Sequence, residues 1–158
     1  MSQKTRYPRS NLAACMLPWT ENFKLDAEAF DQQVHEAITG GYKNIYLMGT
    51  AGEGYALTDT QFKEVVSRFA RLTVKPGLDP QIGIISLSVA QIIERISWSR
   101  DQGIKMFQIS LPSWGALDAQ EVSLFLRRFA ARSLIAVFST TTCRGPSISS
   151  RGRSIAGS

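Results

Sequence analysis

The chain has 158 residues, of which 44% are hydrophobic and 20% charged, values that are ordinary for a globular protein about the size of one domain. Collagen-like, mucin-like and wholly disordered chains are excluded by this composition. No apolar run approaches the roughly 20 residues that span a bilayer, and the polar, basic N-terminal segment has no apolar core behind it. We therefore expect a soluble, cytoplasmic protein that makes no contact with a membrane.

The formal net charge of +5 is concentrated near the end of the sequence. Three arginines and no acidic residue follow Ser133, so residues 1–132 carry only +2. No Lys/Arg stripe of the kind that tracks phosphates is present, and we expect no nucleic-acid partner. Cys15 and Cys143 are far apart and form no Cys-x-x-Cys pair. The sequence therefore predicts no disulfide framework, no metal site and no cofactor.

Short apolar runs alternate with amphipathic helices between Leu12 and Ala131, a pattern typical of successive βα units on a parallel sheet. The predicted strands are Leu12–Leu17, Asn44–Met48, Gln81–Ile85 and Met106–Leu111. The predicted helices run from about Asp26 to Thr39, from Thr58, from Ser88 to about Gly103, and from about Asp118.

Capping signals mark several of these helix ends. Thr58 with Gln61 and Ser88 with Gln91 have capping-box spacing, and the Gly40-Gly41 pair is typical of a helix C-terminus. Apolar residues at helical spacing predict the buried faces: Phe30, Val34, Ala37 and Ile38; Phe62, Val65, Val66, Phe69 and Leu72; Ile92, Ile93 and Ile96; Val122, Phe125 and Phe129. Glu121 falls in the first turn of the last helix, where a negative charge is favourable.

Two α/β architectures fit these elements. A complete (β/α)8 barrel needs about 250 residues, and four units in this length correspond to half of one. A doubly wound sheet would fit the length, but it requires a fifth strand and helix that the remaining sequence does not supply convincingly. We therefore interpret residues 1–11 as an N-terminal arm and 12–132 as the N-terminal half of a (β/α)8 barrel.

The segment from Met48 to Thr58, Met-Gly-Thr-Ala-Gly-Glu-Gly-Tyr-Ala-Leu-Thr, carries the densest chemical signal. It follows the second predicted strand, and ligands bind at this end of the strands in parallel α/β folds. Its glycines allow close approach of the backbone, and the Thr50 hydroxyl with nearby N–H groups can hold a carboxylate or phosphate. A tight βα turn that merely requires glycine explains the segment about equally well. The spacing is neither that of a P-loop nor that of G-x-G-x-x-G.

The sequence Gly49-Thr50-Ala51-Gly52-Glu53, followed by a Leu-Thr helix cap, resembles the G-[ST]-[ST]-G-E motif of the dihydrodipicolinate synthase / N-acetylneuraminate lyase family. Leu17–Thr20 is placed where that family has a Thr-Pro-Phe segment. Leu111–Trp114 is placed where it has Pro-Tyr-Tyr after strand four. The resemblance extends over residues 12–131.

This resemblance implies a (β/α)8 barrel that condenses or cleaves 2-keto acids through a lysine Schiff base, with a tyrosine as proton relay. It assigns Thr50 and Ala51 to the carboxylate of a pyruvate-like substrate and Trp114 to the second aromatic position of the strand-four loop. Gly49 and Gly52 then shape the loop. We interpret Glu53 as an anchor for the loop and the helix start in preference to a general base. Ala51 lacks the second hydroxyl and Trp114 has no phenol, which favours a divergent aldolase or lyase over a lysine-biosynthesis synthase. A whole member of this family is expected to form a homo-oligomer.

The remaining conspicuous residues receive structural interpretations. His35, the only histidine, is predicted to lie on the surface of the first helix. The lysines, Lys43 and Lys105 among them, are predicted to precede strands, at the end of the fold that provides stability. No Schiff-base lysine or other catalytic residue is therefore predicted within the chain, which we expect to be inactive.

After Arg132 the texture of the sequence changes. Where the family carries Tyr-Asn-x-Pro on strand five, the chain continues Ser-Leu-Ile-Ala-Val-Phe from Ser133. With one choice of synonymous codons, a reading that starts one nucleotide earlier gives Phe-Pro-Asp-Cys-Arg-Phe-Leu-His-Tyr-Asn-Leu-Pro-Arg, which contains that segment. We interpret the acid-free residues 133–158 as a frame-shifted, disordered tail.

Half a barrel leaves two sheet edges and one apolar face uncovered, so we expect an unstable or self-associating chain. Two other functions remain open from the sequence. One is a non-enzymatic α/β module that binds a small carboxylate or phosphate at Thr50, either as a compact sheet or as a dimer that completes a barrel. The other is a doubly wound phosphate-binding domain unrelated to the aldolases.

Overall fold

The computed structural model describes residues 10–111 and 117–130, with side chains described as far as Arg127. Nearly all of the predicted N-terminal arm, the Pro112–Trp114 segment and residues 133–158 lie outside the described residues. Eight elements alternate along the described chain: β1 (Leu12–Cys15), α1 (Ala27–Thr39), β2 (Asn44–Leu47), α2 (Asp59–Thr73), β3 (Asp79–Ile84), α3 (Val89–Asp101), β4 (Met106–Ile109) and α4 (Ala119–Ala130).

The four strands form one parallel sheet in the order β1-β2-β3-β4. Crossovers between parallel strands are right-handed, so a strand order without reversal places all the helices on one face. Contacts of α2 with both α1 and α3 agree with this arrangement. A doubly wound sheet would reverse its order at a switch point, and the described strands contain no such reversal. The observed topology is that of consecutive units of a (β/α)8 barrel.

The hydrophobic core lies between this sheet and its helices. Alternate residues of β2, Ile45 and Leu47, are fully buried on the face that packs against the helices. Phe62 and Phe69 of α2 are fully buried in the same core. The opposite face carries the intervening residues, including the exposed Leu12 and the half-buried Tyr46. The described elements therefore cover one face of the sheet and leave the other, here called the inner face, uncovered.

The helix predictions are confirmed at their N-caps, but only one of the two predicted capping boxes is complete. Ser88 Oγ accepts from the Gln91 N–H, whereas the Gln91 side chain bonds to Ser86 and Asp59 instead of returning to the Ser88 N–H. The Thr58 hydroxyl accepts from the Gln61 N–H while the Gln61 side chain accepts from the Thr58 N–H, a reciprocal capping box. Asp118 and Glu121 make the same exchange at α4. Gly41 ends the first helix with φ of +85°, the left-handed conformation expected there. Of the predicted buried residues of α2, Leu72 is only half-buried, and Ala70 and Thr73 lie in the core instead.

The strand ends differ from their predictions. β1 ends at Cys15 because the N–H of Met16 donates to the Gln33 side chain of α1 instead of to a strand. β2 ends at Leu47 because Met48 turns to a positive φ of 61°. β3 begins two residues early, since the Asp79 N–H donates to Lys43 O at 2.8 Å. β3 and β4 end at Ile84 and Ile109, one and two residues before the predicted ends.

Candidate functional site

The loop between β2 and α2, residues 48–58, is the candidate site, and we call it the β2 loop. Its front is a turn in which the Glu53 N–H donates to Thr50 O at 3.2 Å and the Ala56 N–H donates to Glu53 O at 2.9 Å. Thr50 and Ala51 are exposed at this front. Their backbone N–H groups donate to none of the described residues, and the Thr50 hydroxyl has no hydrogen-bond partner among those residues. At the carboxyl end of the sheet the loop therefore has one hydroxyl and two amides that lack a partner among the described residues.

The backbone behind this turn is strained. Met48 and Glu53 are non-glycine residues with φ of 61° and 52°, a region that costs on the order of 1–3 kcal/mol each and persists where the surroundings enforce it. The Met48 carbonyl fits only because two of its neighbours lack side chains. A Cβ on Gly54 would lie 2.5 Å from that oxygen, and a Cβ on Gly83 of β3 would lie 2.1 Å from it.

The two glycines predicted to shape the front of the loop play different parts. A Cβ on Gly49 would lie 2.6 Å from the Tyr46 ring, so this glycine makes room for the phenol. A Cβ on Gly52 would have only ordinary contacts, the nearest at 3.4 Å. Burial raises the pKa of Tyr46 to about 12, and its hydroxyl has no hydrogen-bond partner among the described residues.

Arg95 of α3 attaches the rear of the β2 loop to the next βα unit. The residue is 4% exposed, and its guanidinium donates to Leu57 O at 2.8 Å and to Gly54 O at 3.4 Å. It also donates twice to Asp59 Oδ1, at 3.0 and 3.2 Å, and lies 4.7 Å from the centroid of the Phe62 ring. The buried charge is thus compensated by one carboxylate, two carbonyls and an aromatic face.

Asp59, the first residue of α2, joins two adjacent loops. Its carboxylate accepts from Arg95 and from the Gln91 side-chain amide, and Gln91 accepts in turn from the Ser86 hydroxyl in the loop after β3. The hydrogen bond from Arg95 lowers the pKa of Asp59, with a further contribution from the Gln91 hydrogen bond.

The structure brings five predicted site residues together in one turn, namely Gly49, Thr50, Ala51, Gly52 and Glu53. Glu53 contributes to the turn through its backbone, while its exposed carboxylate makes no hydrogen bond or ion pair with the described residues. Trp114, predicted to contact substrate, lies outside the described residues. His35 is exposed on α1, as expected, with Nδ1 2.8 Å from Asp31 O.

The placement of the lysines corrects one prediction. Lys43, Lys75 and Lys105 do precede strands, but Lys24 lies in the loop after β1, at the same end of the sheet as Thr50, and Lys63 lies on α2. Lys24 is exposed and its backbone N–H donates to the Thr20 hydroxyl. Its position between the first predicted strand and the first predicted helix already indicates a loop at the carboxyl end of the sheet.

A cavity of about 370 Å³ lies at the opposite end of the sheet, between the starts of β3 and β4, with Lys75, Asp79 and Lys105 among its lining. This end is distant from the β2 loop, because β3 and β4 run parallel to β2. No three His, Cys, Asp or Glu side chains converge as metal ligands within 10–111 and 117–130. None of the helices described here is long and apolar enough to cross a membrane.

Sequence reasoning missed Arg95 and Asp59, although a signal for the arginine was present. Arg95 lies on the buried face of α3, three residues after the buried Ile92 and directly before the buried Ile96. A charged residue at a core-facing helical position requires specific partners, because an unpaired buried charge is very costly. That position therefore predicts a hydrogen-bonded arginine, even though the sequence does not reveal its partners.

The described fold is a segment of a (β/α)8 barrel. Its parallel βα units follow one another in unbroken order, its helices cover one face of the sheet, and an open loop lies at the carboxyl end of β2. Solved structures of such barrels share the fold. N-acetylneuraminate lyase from Fusobacterium nucleatum matches with a TM-score of 0.76 and 14% identity, covering 86% of this chain and 48% of its own. Dihydrodipicolinate synthase from Oceanobacillus iheyensis matches with a TM-score of 0.72 and 23% identity, covering 80% of this chain and 43% of its own.

A third structure is a prophage protein of the dihydrodipicolinic acid synthase family from E. coli, in complex with pyruvate. It matches with a TM-score of 0.75 and 13% identity, covering 80% of this chain and 43% of its own. The chain therefore spans under half of the length of the structures it matches. No protein-family model and no curated protein matches the sequence. These matches confirm the resemblance that the sequence motifs indicated. Because the sequence identities are low, they establish a shared fold and not a shared activity.

Proposed function

We propose that the β2 loop binds the carboxylate of a pyruvate-like 2-keto acid, as part of a Schiff-base aldolase or lyase. The observation that carries the proposal is the exposed turn in which the Thr50 hydroxyl and the N–H groups of Thr50 and Ala51 have no partner among the described residues. These donors lie at the end of the strands where (β/α)8 barrels carry out their chemistry. The matched structure in complex with pyruvate supports this choice of ligand.

In the proposed arrangement the carboxylate accepts from the Thr50 hydroxyl and from the Ala51 N–H. Ala51 supplies no second hydroxyl, so its contribution is limited to the backbone. The hydrogen bonds from the Glu53 N–H to Thr50 O and from the Gly54 N–H to Gly49 O hold the turn in place before ligand arrives, which reduces the entropy lost on binding.

The reaction requires an amine that attacks the ketone carbon, with loss of water, to give the Schiff base. Lys43, Lys75 and Lys105 lie at the wrong end of the sheet, and Lys24 and Lys63 lie on a surface loop and a helix. We propose that the described residues supply the carboxylate site and not the reactive lysine, and that the 158-residue chain is inactive by itself. We further propose that the protein is located in the cytoplasm and that the whole enzyme is a homo-oligomer.

The same observation supports a second candidate, a binding module for a small carboxylate or phosphate without catalysis. The donors at Thr50 suffice to hold an anion without a reactive lysine. A module of this kind is expected to bind inorganic phosphate at least as tightly as pyruvate, whereas a keto-acid site favours pyruvate.

The test is a pyruvate titration of the 158-residue chain, followed by saturation-transfer NMR. Thr50→Val is expected to weaken binding at least about tenfold, since a lost hydrogen bond to a charged group costs about 1.5–3 kcal/mol. Thr60→Val, an exposed threonine of α2 outside the loop, is the matched control and is expected to bind as wild type. Borohydride with pyruvate is expected to yield no covalent adduct. Equal binding by Thr50→Val contradicts the carboxylate site, and an adduct, for instance on Lys24, contradicts inactivity.

A further inference from the structure

Arg95 occupies an unusual position for a charged side chain. It projects from the buried face of α3, is 4% exposed, and is surrounded by Phe62 and the apolar neighbours of its own helix. Burying a guanidinium contributes little stability compared with an apolar side chain of similar volume. Its location is therefore better explained by the groups that it holds than by stability.

Those groups belong to the β2 loop. Two of the three acceptors are the main-chain carbonyls of Gly54 and Leu57, and the third is the carboxylate of Asp59 where the loop enters α2. Gly54 is also the residue whose missing side chain admits the strained Met48 carbonyl. One side chain therefore fixes the rear of the loop whose front presents Thr50.

A comparison within the molecule shows what is particular to Arg95. Arg68 of α2 pairs with Asp31 of α1 through two hydrogen bonds, the second at 2.8 Å. That ion pair also joins neighbouring helices, but it makes no hydrogen bond to a βα-loop carbonyl among the described residues, and both side chains are about one-third exposed. The Arg68 pair serves helix packing, whereas the Arg95 bonds end on the candidate site.

We propose that Arg95 is a positioning residue that sets the geometry of the anion-binding turn through Gly54, Leu57 and Asp59. This inference rests on the proposed function for its ligand, pyruvate. It adds that affinity depends on a guanidinium that does not touch the ligand. The Asp59–Gln91–Ser86 hydrogen bonds extend the same restraint to the loop after β3.

The test compares Arg95→Lys with Arg68→Lys in the full 158-residue chain. Lysine keeps the charge but lacks the planar fork that reaches two carbonyls and a carboxylate together. Arg95→Lys is expected to weaken pyruvate binding about tenfold, equivalent to about 1.4 kcal/mol, while Arg68→Lys binds as wild type. Asp59→Asn, which removes only an exposed carboxylate, is expected to weaken binding to a smaller extent and guards against misfolding of the Arg95 variant.

A second measurement separates this inference from the proposed function. Amide hydrogen exchange at Glu53, Gly54 and Ala56 is expected to accelerate in Arg95→Lys and not in Arg68→Lys, whether or not pyruvate binds. Absence of pyruvate binding to wild type, with faster loop exchange in Arg95→Lys, overturns the proposed function and supports the positioning role. Unchanged loop exchange in Arg95→Lys, or unchanged affinity where wild type binds, overturns the positioning role.

Discussion

Gly83 shows at the scale of one residue how this site depends on a neighbouring strand. It lies in β3, paired with Gln108 of β4, and its missing side chain leaves room for the Met48 carbonyl at the end of β2. The strained backbone of the β2 loop is thus accommodated by a residue about 30 positions away in the sequence.

Gly83→Ala is expected to lower the stability of β3 and the β2 loop by about 1–3 kcal/mol, because the new methyl group overlaps a backbone oxygen that cannot rotate away. Native-state hydrogen exchange of the β2 and β3 amides measures this loss directly. Gly52→Ala, where the nearest atom is at 3.4 Å, is the control and is expected to change stability by less than about 1 kcal/mol. A larger loss in Gly52→Ala than in Gly83→Ala would refute the steric account.

The sequence predicted Thr50 and its turn, because hydroxyl, glycine and position after an apolar strand all occur within a few residues. It did not predict the contacts of Gly83 or Arg95, since these join residues of different βα units and leave no local pattern. Glu53 was predicted as an anchor of the loop, and the structure shows its backbone in the turn while its carboxylate faces solvent.

At the scale of elements, helix starts were predicted well and strand ends less so. Caps such as Thr58 with Gln61 involve residues only three positions apart and depend on local hydrogen bonds, so the sequence reveals them. The end of β2 depends instead on Met48 adopting a positive φ beside Gly83, which is a tertiary effect. Strand ends are fixed by such contacts with other elements.

The Asp59–Arg95 pair joins α2 to α3 and gives an acid-dependent contribution to stability. The hydrogen bond from Arg95 lowers the pKa of Asp59 in the folded chain below the ordinary value for an aspartate. A lowered folded-state pKa means that this contribution is fully present above the unfolded-state value of about 3.9 and is lost as the pH falls through the folded-state value.

Asp59→Asn is therefore expected to reduce the difference between the urea midpoints measured at pH 6 and pH 3 in dilute solution. Tryptophan fluorescence reports the transition. In an Arg95→Met background the same substitution is expected to leave that difference unchanged, because the main cause of the shift is gone. An undiminished acid dependence in Asp59→Asn alone would contradict the assignment.

At the scale of the whole molecule, unbroken strand order and helices on one face separate a barrel segment from a doubly wound sheet. The sequence predicted four parallel βα units, and the structure confirms them within the described residues. β1 and β4 each pair with one neighbour there, and Leu12 and Met16 are 46% and 47% exposed. Two edges and an inner face are thus available for further strands.

We propose that residues 133–158 are read out of frame. Inserting one nucleotide after codon 132 is expected to extend the product through a Tyr-Asn-x-Pro strand and a lysine-bearing strand. Closure would bury the inner face at about 25 cal/mol per Å² of apolar surface. The repaired protein is expected to be soluble and to melt cooperatively, and the 158-residue chain to self-associate and melt broadly. An early stop codon in the other frame would refute this origin of the tail.

The central claim, a keto-acid carboxylate site on the β2 loop, is tested most directly by mapping pyruvate onto the isotope-labelled 158-residue chain by amide NMR. The account predicts shifts confined to residues 49–54 and their neighbours, with the titration midpoint at least tenfold higher in Thr50→Val. Shifts at the opposite end of the sheet, around Lys75 and Lys105, or no shifts at saturating pyruvate, would contradict it.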